Sequence, residues 1–134
     1  MSMSSTSIVI TVVVALVVGA GLFLNRASAQ TDPDSLVLTQ LRKAGSNLGK
    51  PHDIEFFLYF PSEAAAGRVA SKLRADGFGV TVSPAAGGGS DWLALATRSM
   101  VPEAKELVRL RSMFTLLSSA EKGNYDGWGT PVVK

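Results

Sequence analysis

The stretch HDIEFFLYFP, residues 52–61, is the strongest secondary-structure signal in the chain. Every second side chain is large and apolar: Ile54, Phe56, Leu58 and Phe60. The positions between them combine acids with aromatics: Asp53, Glu55, Phe57 and Tyr59. A period of two predicts a β-strand, buried completely on the first face and partly on the second. Pro61 ends the strand, because proline cannot continue the hydrogen-bond ladder.

The residues that follow, SEAAAGRVASKLRADGFGV, predict a helix. Ser62 is a suitable N-cap, and Gly77 stands where a helix commonly ends. The predicted buried stripe is alanine-rich and consists of Ala65, Ala66, Val69, Ala70 and Leu73. Such small side chains allow a helix to lie close to a sheet.

Two more strands and a second helix complete the middle of the chain. FGVTVSP and WLALATR predict two strands joined as a hairpin by the flexible AAGGGSD connection. The following VPEAKELVRLRSMFTLLSSAEK predicts a helix. Its predicted buried stripe is Ala104, Leu107, Val108, Phe114 and Leu117.

The stretch GNYDGWGTP, residues 123–131, is the only material left for a fourth strand. Its glycines predict a bulge or a close backbone approach, and its rings would anchor the strand. With this strand the order becomes β-α-β-β-α-β. We therefore predict an α+β, ferredoxin-like split β-α-β domain, with an antiparallel sheet and its helices on one face.

The N-terminal residues 8–24, IVITVVVALVVGAGLFL, predict a hydrophobic helix that crosses a membrane. Arg26 follows this span and no basic side chain precedes it, which favours a cytoplasmic domain on a single-pass anchor. A cleaved signal peptide is the alternative, because ASAQ resembles a cleavage site and would make the domain secreted or periplasmic. We divide the chain into an anchor or signal at 1–29, a helical spacer at 30–50 and a ferredoxin-like domain at 51–134.

The composition offers little for catalysis. The chain has 134 residues, no cysteine and one histidine, His52. No serine or carboxylate constellation surrounds His52 in the sequence, and the carboxylates are too scattered for a metal site. Basic and acidic residues nearly balance beyond Arg26, so charge does not indicate nucleic-acid binding. We expect a non-enzymatic protein with no catalytic residue, cofactor, metal or small-molecule substrate.

The chain resembles the regulator of ribonuclease activity B family, whose members bind and inhibit ribonuclease E. The motifs are HDIEFFLYF, RADGFGVTV, WLALATRSMVP and, most specifically, YDGWGTP, which together span His52 to Pro131. The resemblance implies a ferredoxin-like fold and a regulator that acts by protein contact. The alternative is an interaction domain of the same fold whose partner is unrelated to RNA turnover.

A protein-binding surface is expected on the sheet face opposite the helices. Aromatics among polar groups often mark interaction sites. The candidate residues are Phe57 and Tyr59 on this face, together with Tyr125, Asp126 and Trp128 of the YDGWG motif. Trp128 is either a core residue or a contact offered to the partner. A homodimer, or the terminal segments, would be another way to cover this face. A single-stranded RNA-binding module is a further alternative, although Asp53 and Glu55 would repel phosphate there.

Overall fold

A computed structural model describes residues 32–87 and 89–134. It contains three helices and four strands in these residues, which are α1 (Pro33–Lys43), β1 (His52–Phe60), α2 (Glu63–Ala75), β2 (Gly79–Pro84), β3 (Trp92–Met100), α3 (Ala104–Ala120) and β4 (Asn124–Gly129). The four strands form one antiparallel sheet in the order β2-β3-β1-β4. The predicted α+β class, the fourth strand and the hairpin between β2 and β3 are confirmed.

The predicted membrane-spanning residues 8–24, and with them the predicted hydrophobic helix, lie outside the described residues. Within 32–87 and 89–134, each helix is too short or too polar to cross a bilayer.

β1 is an inner strand, and its register assigns the two faces of the sheet. It pairs with β3 on one side and with β4 on the other. The side chains predicted to lie inside, from Ile54 to Phe60 at every second position, are all at most 1% exposed. They form one hydrophobic core with residues from all three helices. The helices therefore cover one face of the sheet.

The two predicted helical stripes fare differently. α2 buries the five residues expected of it and begins at Ser62, whose side chain accepts a hydrogen bond from the Ala65 amide. α3 buries Leu107 and Phe114 as predicted, but the rest of its inner side is rotated relative to the prediction. With this rotation Leu110 lies in the core, while Val108 is 49% exposed and Ala104 is exposed.

The helix expected within residues 30–50 is α1, which has Asp32 as its N-cap and Pro33 in its first turn. Its role differs from that of a spacer, however. Val37, Leu38 and Leu41 are at most 9% exposed and belong to the core, and the helix packs against α3 and β4. Because α1 contributes core side chains, it packs as part of the same folded unit as the sheet.

Candidate protein-binding surface

The sheet face opposite the helices, called here the open face, has an apolar centre. It consists of four partly exposed side chains on the two inner strands, Phe57, Tyr59, Leu93 and Leu95. Phe57 is paired with Leu95, and Tyr59 with Leu93. Side chains paired in this way across antiparallel strands lie about 5 Å apart at their Cβ atoms, so the four form one contiguous patch.

Acids lie beside this apolar centre. Asp53 and Glu55 occupy the same face of β1 as Phe57, towards the start of the strand. Asp126, on β4, lies near Tyr59. The pKa of the Tyr59 phenol is raised mainly by its own partial burial and further by the negative charge of Asp126. Partial burial also raises the pKa of Asp126 itself. We call Asp53, Glu55 and Asp126 the acidic edge.

A β-bulge in β4 decides where the two large rings of the YDGWG motif lie. Tyr125 is paired with Leu58 and Trp128 with Phe56, so two residues of β4 stand opposite Phe57 alone. In a regular strand, side chains three positions apart point to opposite faces. The bulge consists of Asp126 and Gly127, and Gly127 has a φ of 112°. Because the bulge adds one residue to the strand, both rings point to the helix-covered face.

Trp128 is part of a buried polar cluster rather than of the exposed surface. It is 2% exposed, and its indole Nε1 donates to Oδ1 of Asp34 over 3.0 Å. Asp34 is itself 2% exposed and accepts two further hydrogen bonds from Arg111, at 2.8 and 3.0 Å. Tyr125 packs on Phe114, with ring centroids 5.1 Å apart. This cluster holds α1, α3 and β4 together.

Burial raises the pKa of Tyr125 far above its usual range, and the charge of Asp34 adds to this effect. The phenol therefore stays neutral at all physiological pH values. Its position also places the ring near the Arg111 guanidinium, 5.7 Å from the ring centroid. Tyr125 thus belongs to the same interior cluster as Trp128.

The four strands carry a single lysine or arginine side chain, and it does not lie on the open face. Arg98 is the one Lys or Arg within the four strands, and it lies on the helix-covered face, stacked 3.8 Å over the ring of Phe78. The ion pairs within the described residues are Arg68–Glu121, Arg109–Glu106 and Arg111–Asp34. The acidic edge takes part in none of them, so its charges are available to a partner.

His52 lies in a buried clamp that fixes the C-terminal residues. Its Nδ1 donates to the Lys50 carbonyl over 2.8 Å, because a carbonyl can only accept, and its Nε2 accepts from Ser46 Oγ over 2.6 Å. Ser46 Oγ in turn accepts from the Val133 amide over 2.9 Å. The sequence did not predict this serine–histidine pair, since six residues separate its members. His52 is 1% and Ser46 8% exposed, and both polar ends are used within the fold.

The structure divides the five sequence-predicted site residues into two groups. It brings Phe57, Tyr59 and Asp126 together on or beside the open face, and it buries Trp128 and most of Tyr125 on the other face. Leu93 and Leu95 were missed. The signal for them was present in WLALA, because five consecutive apolar residues predict a strand with apolar side chains on both faces.

Potential metal ligands are not grouped anywhere in residues 32–87 and 89–134: no three His, Asp or Glu side chains converge there. The open face carries apolar groups at its centre and carboxylates at its side.

Comparison with known proteins agrees with the motifs and the fold. No curated protein matches the chain. The family model described as regulator of ribonuclease activity B matches residues 31–130, which include α1 and the YDGWG motif. Because this match covers most of the chain, the protein belongs to the regulator of ribonuclease activity B family.

Proposed function

We propose that this protein is a non-enzymatic regulator that binds ribonuclease E through the open face of its sheet. Membership of the family supports a regulator of ribonuclease activity with a protein partner. The observation that carries the choice of surface is the apolar centre formed by Phe57, Tyr59, Leu93 and Leu95. Apolar groups beside polar ones on an otherwise uncovered sheet are typical of protein-binding surfaces.

The environment of the hydrogen-bonded pair Ser46 and His52 also agrees with a regulatory role. Nucleophilic catalysis needs a serine that substrate can reach and a histidine free to accept its proton. Ser46 and His52 are buried, and Ser46 Oγ accepts a hydrogen bond from the Val133 amide. The pair therefore stabilises the fold, and we assign the function to contact instead of chemistry.

A cleavage assay with purified ribonuclease E tests this function. The full chain in mild detergent should slow cleavage of a ribonuclease E substrate and should be retained by immobilised ribonuclease E. Leu95→Ser should weaken both effects, because it removes an apolar side chain from the centre of the open face. Leu116→Ser is the matched control, since Leu116 is 73% exposed but lies on α3. Unchanged cleavage and no retention would disprove the proposed function.

We further propose that residues 8–24 tether the domain to a membrane, with the domain in the cytoplasm where a ribonuclease is accessible. The support is the apolar length of this segment and the position of Arg26 after it. Only residues 25–32 then separate the span from α1, which would keep the domain within about 30 Å of the bilayer.

Protease protection tests the tether. Trypsin added outside intact spheroplasts should leave the domain uncut, and the full chain should sediment with membranes. Digestion under these conditions, or recovery of a chain that begins after ASAQ, would instead show a secreted domain. Such a domain would have to act on a partner other than a cytoplasmic ribonuclease.

A further inference from the structure

We propose that the segment bound by the open face is a basic polypeptide that also carries apolar side chains. This inference rests on the proposed function, because it names the chemistry of the partner at the same surface. It depends on the distribution of charge around the apolar centre, which neither the family nor the fold determines.

The acidic edge requires a positively charged partner. Asp53 and Asp126 are exposed, Glu55 is partly exposed, and none of them is ion-paired within the described part of the chain. A partner that covers the apolar centre would also bring groups close to these carboxylates. Uncompensated charges at an interface are costly, whereas opposite charges fix register and speed association.

A second copy of this chain does not satisfy that requirement. Two open faces placed against each other would bring acidic edges to a surface whose strands offer no Lys or Arg, since Arg98 lies on the opposite face. Single-stranded RNA is disfavoured for the same reason, because its phosphates would meet the carboxylates. A purely charged peptide would pair with the acidic edge but would leave the apolar centre without apolar contacts.

The spacing along β1 indicates how such a segment is organised. Glu55 and Phe57 are two residues apart on one face, which corresponds to about 7 Å. An extended segment laid along β1 presents side chains to the sheet at the same interval. Arginine or lysine opposite Glu55 would therefore place the next inward side chain, an apolar one, over Phe57.

The probe for this proposal is a short synthetic peptide that alternates arginine and leucine. One comparison peptide has glutamate in place of arginine, and a second has serine in place of leucine. The full chain is held in nanodiscs of uncharged phosphatidylcholine so that lipid charge does not attract the peptide. Binding is measured by fluorescence anisotropy, and the contact surface is mapped by methyl resonances of Leu93 and Leu95.

The expected result is binding of the arginine–leucine peptide alone, with shifts of both leucine resonances. The double variant Asp53→Asn and Glu55→Gln should weaken binding about tenfold, because it removes two carboxylates that pair with arginines of the peptide in a partly screened environment. The control is Glu63→Gln with Glu103→Gln, which changes the net charge equally at exposed sites at the starts of α2 and α3, the helices on the other side of the sheet. It should leave the dissociation constant unchanged.

Three results would overturn the proposal: equal loss of binding in the control, preference for the glutamate peptide or for oligouridylate, or self-association that involves Leu93 and Leu95. The outcome is separable from that of the ribonuclease assay. If the peptide binds the open face but ribonuclease E does not bind the chain, only the proposed function fails. If Leu95→Ser weakens binding of ribonuclease E but the double variant Asp53→Asn and Glu55→Gln does not, only this inference fails.

Discussion

Asp34 provides the most direct test of the interior described above. Its carboxylate accepts three hydrogen bonds, two from Arg111 and one from Trp128, while only 2% of the residue is exposed. Asp34→Ala removes all three acceptor contacts. It leaves the indole N–H of Trp128 buried without a partner and the Arg111 guanidinium without its counter-charge.

The size of the effect follows from these contacts. An unsatisfied buried donor costs about 1–3 kcal/mol, and hydrogen bonds to a charged group contribute about 1.5–3 kcal/mol each. The Arg111 side chain is 31% exposed and can turn towards water, so its share lies at the low end. We therefore expect a loss of about 3–4 kcal/mol, within the range for breaking a buried ion pair.

Urea unfolding of the full chain in mild detergent measures this loss through the fluorescence of Trp92 and Trp128. With a slope of about 1.5 kcal/mol per molar urea, the midpoint should fall by about 2 M. Glu121→Ala is the control, because it breaks the solvent-exposed ion pair with Arg68 and should change the midpoint little. Equal shifts for the two variants would refute the idea that Asp34 holds α1 to α3 and β4.

Three further substitutions test the open face and the bulge. Trp128→Ala should lose about 3–5 kcal/mol of stability, measured by circular dichroism, and a small loss would mean that Trp128 is not in the core. Gly127→Ala should cost about 1–2 kcal/mol, because alanine is strained at a positive φ; a neutral result would contradict the bulge geometry. Asp126→Asn should raise the urea midpoint at pH 7 but not below about pH 3.5. The raised pKa of Asp126 means that its ionisation costs stability above that pKa, and both states are protonated at low pH. A midpoint difference that persists in acid would contradict this reading.

The sequence predicted the sheet and most of its core because the strands carry strong local signals. The alternation in β1 identified its four apolar inward side chains, although not the buried His52, and Ser62 with the alanine-rich stripe identified α2. α3 was harder to predict, because the run from Val101 to Lys122 has apolar side chains on more than one side. Leu107 and Phe114 were identified correctly, but Leu110 lies in the core where Val108 was expected, and Val108 is 49% exposed.

The candidate site was predicted in part for a similar reason. Phe57 and Tyr59 follow from the period of β1, but the faces of Tyr125 and Trp128 depend on a bulge that periodicity does not reveal. The role of α1 depends on Asp34 reaching residues 77 and 94 positions away along the chain. Only folded coordinates show that such distant groups meet.

The clamp between Ser46, His52 and Val133 has a practical consequence for how the chain can be extended. Val133 is held through both its amide and its carbonyl, which accepts from the Asn47 amide, and Lys50 Nζ donates to the Lys134 carbonyl. The last residues are thus attached to the loop between α1 and β1. A reporter fused directly to Lys134 would pull on this loop, so a flexible linker should precede it. A tag joined that way would leave the proposed tether and the open face free for the assays above.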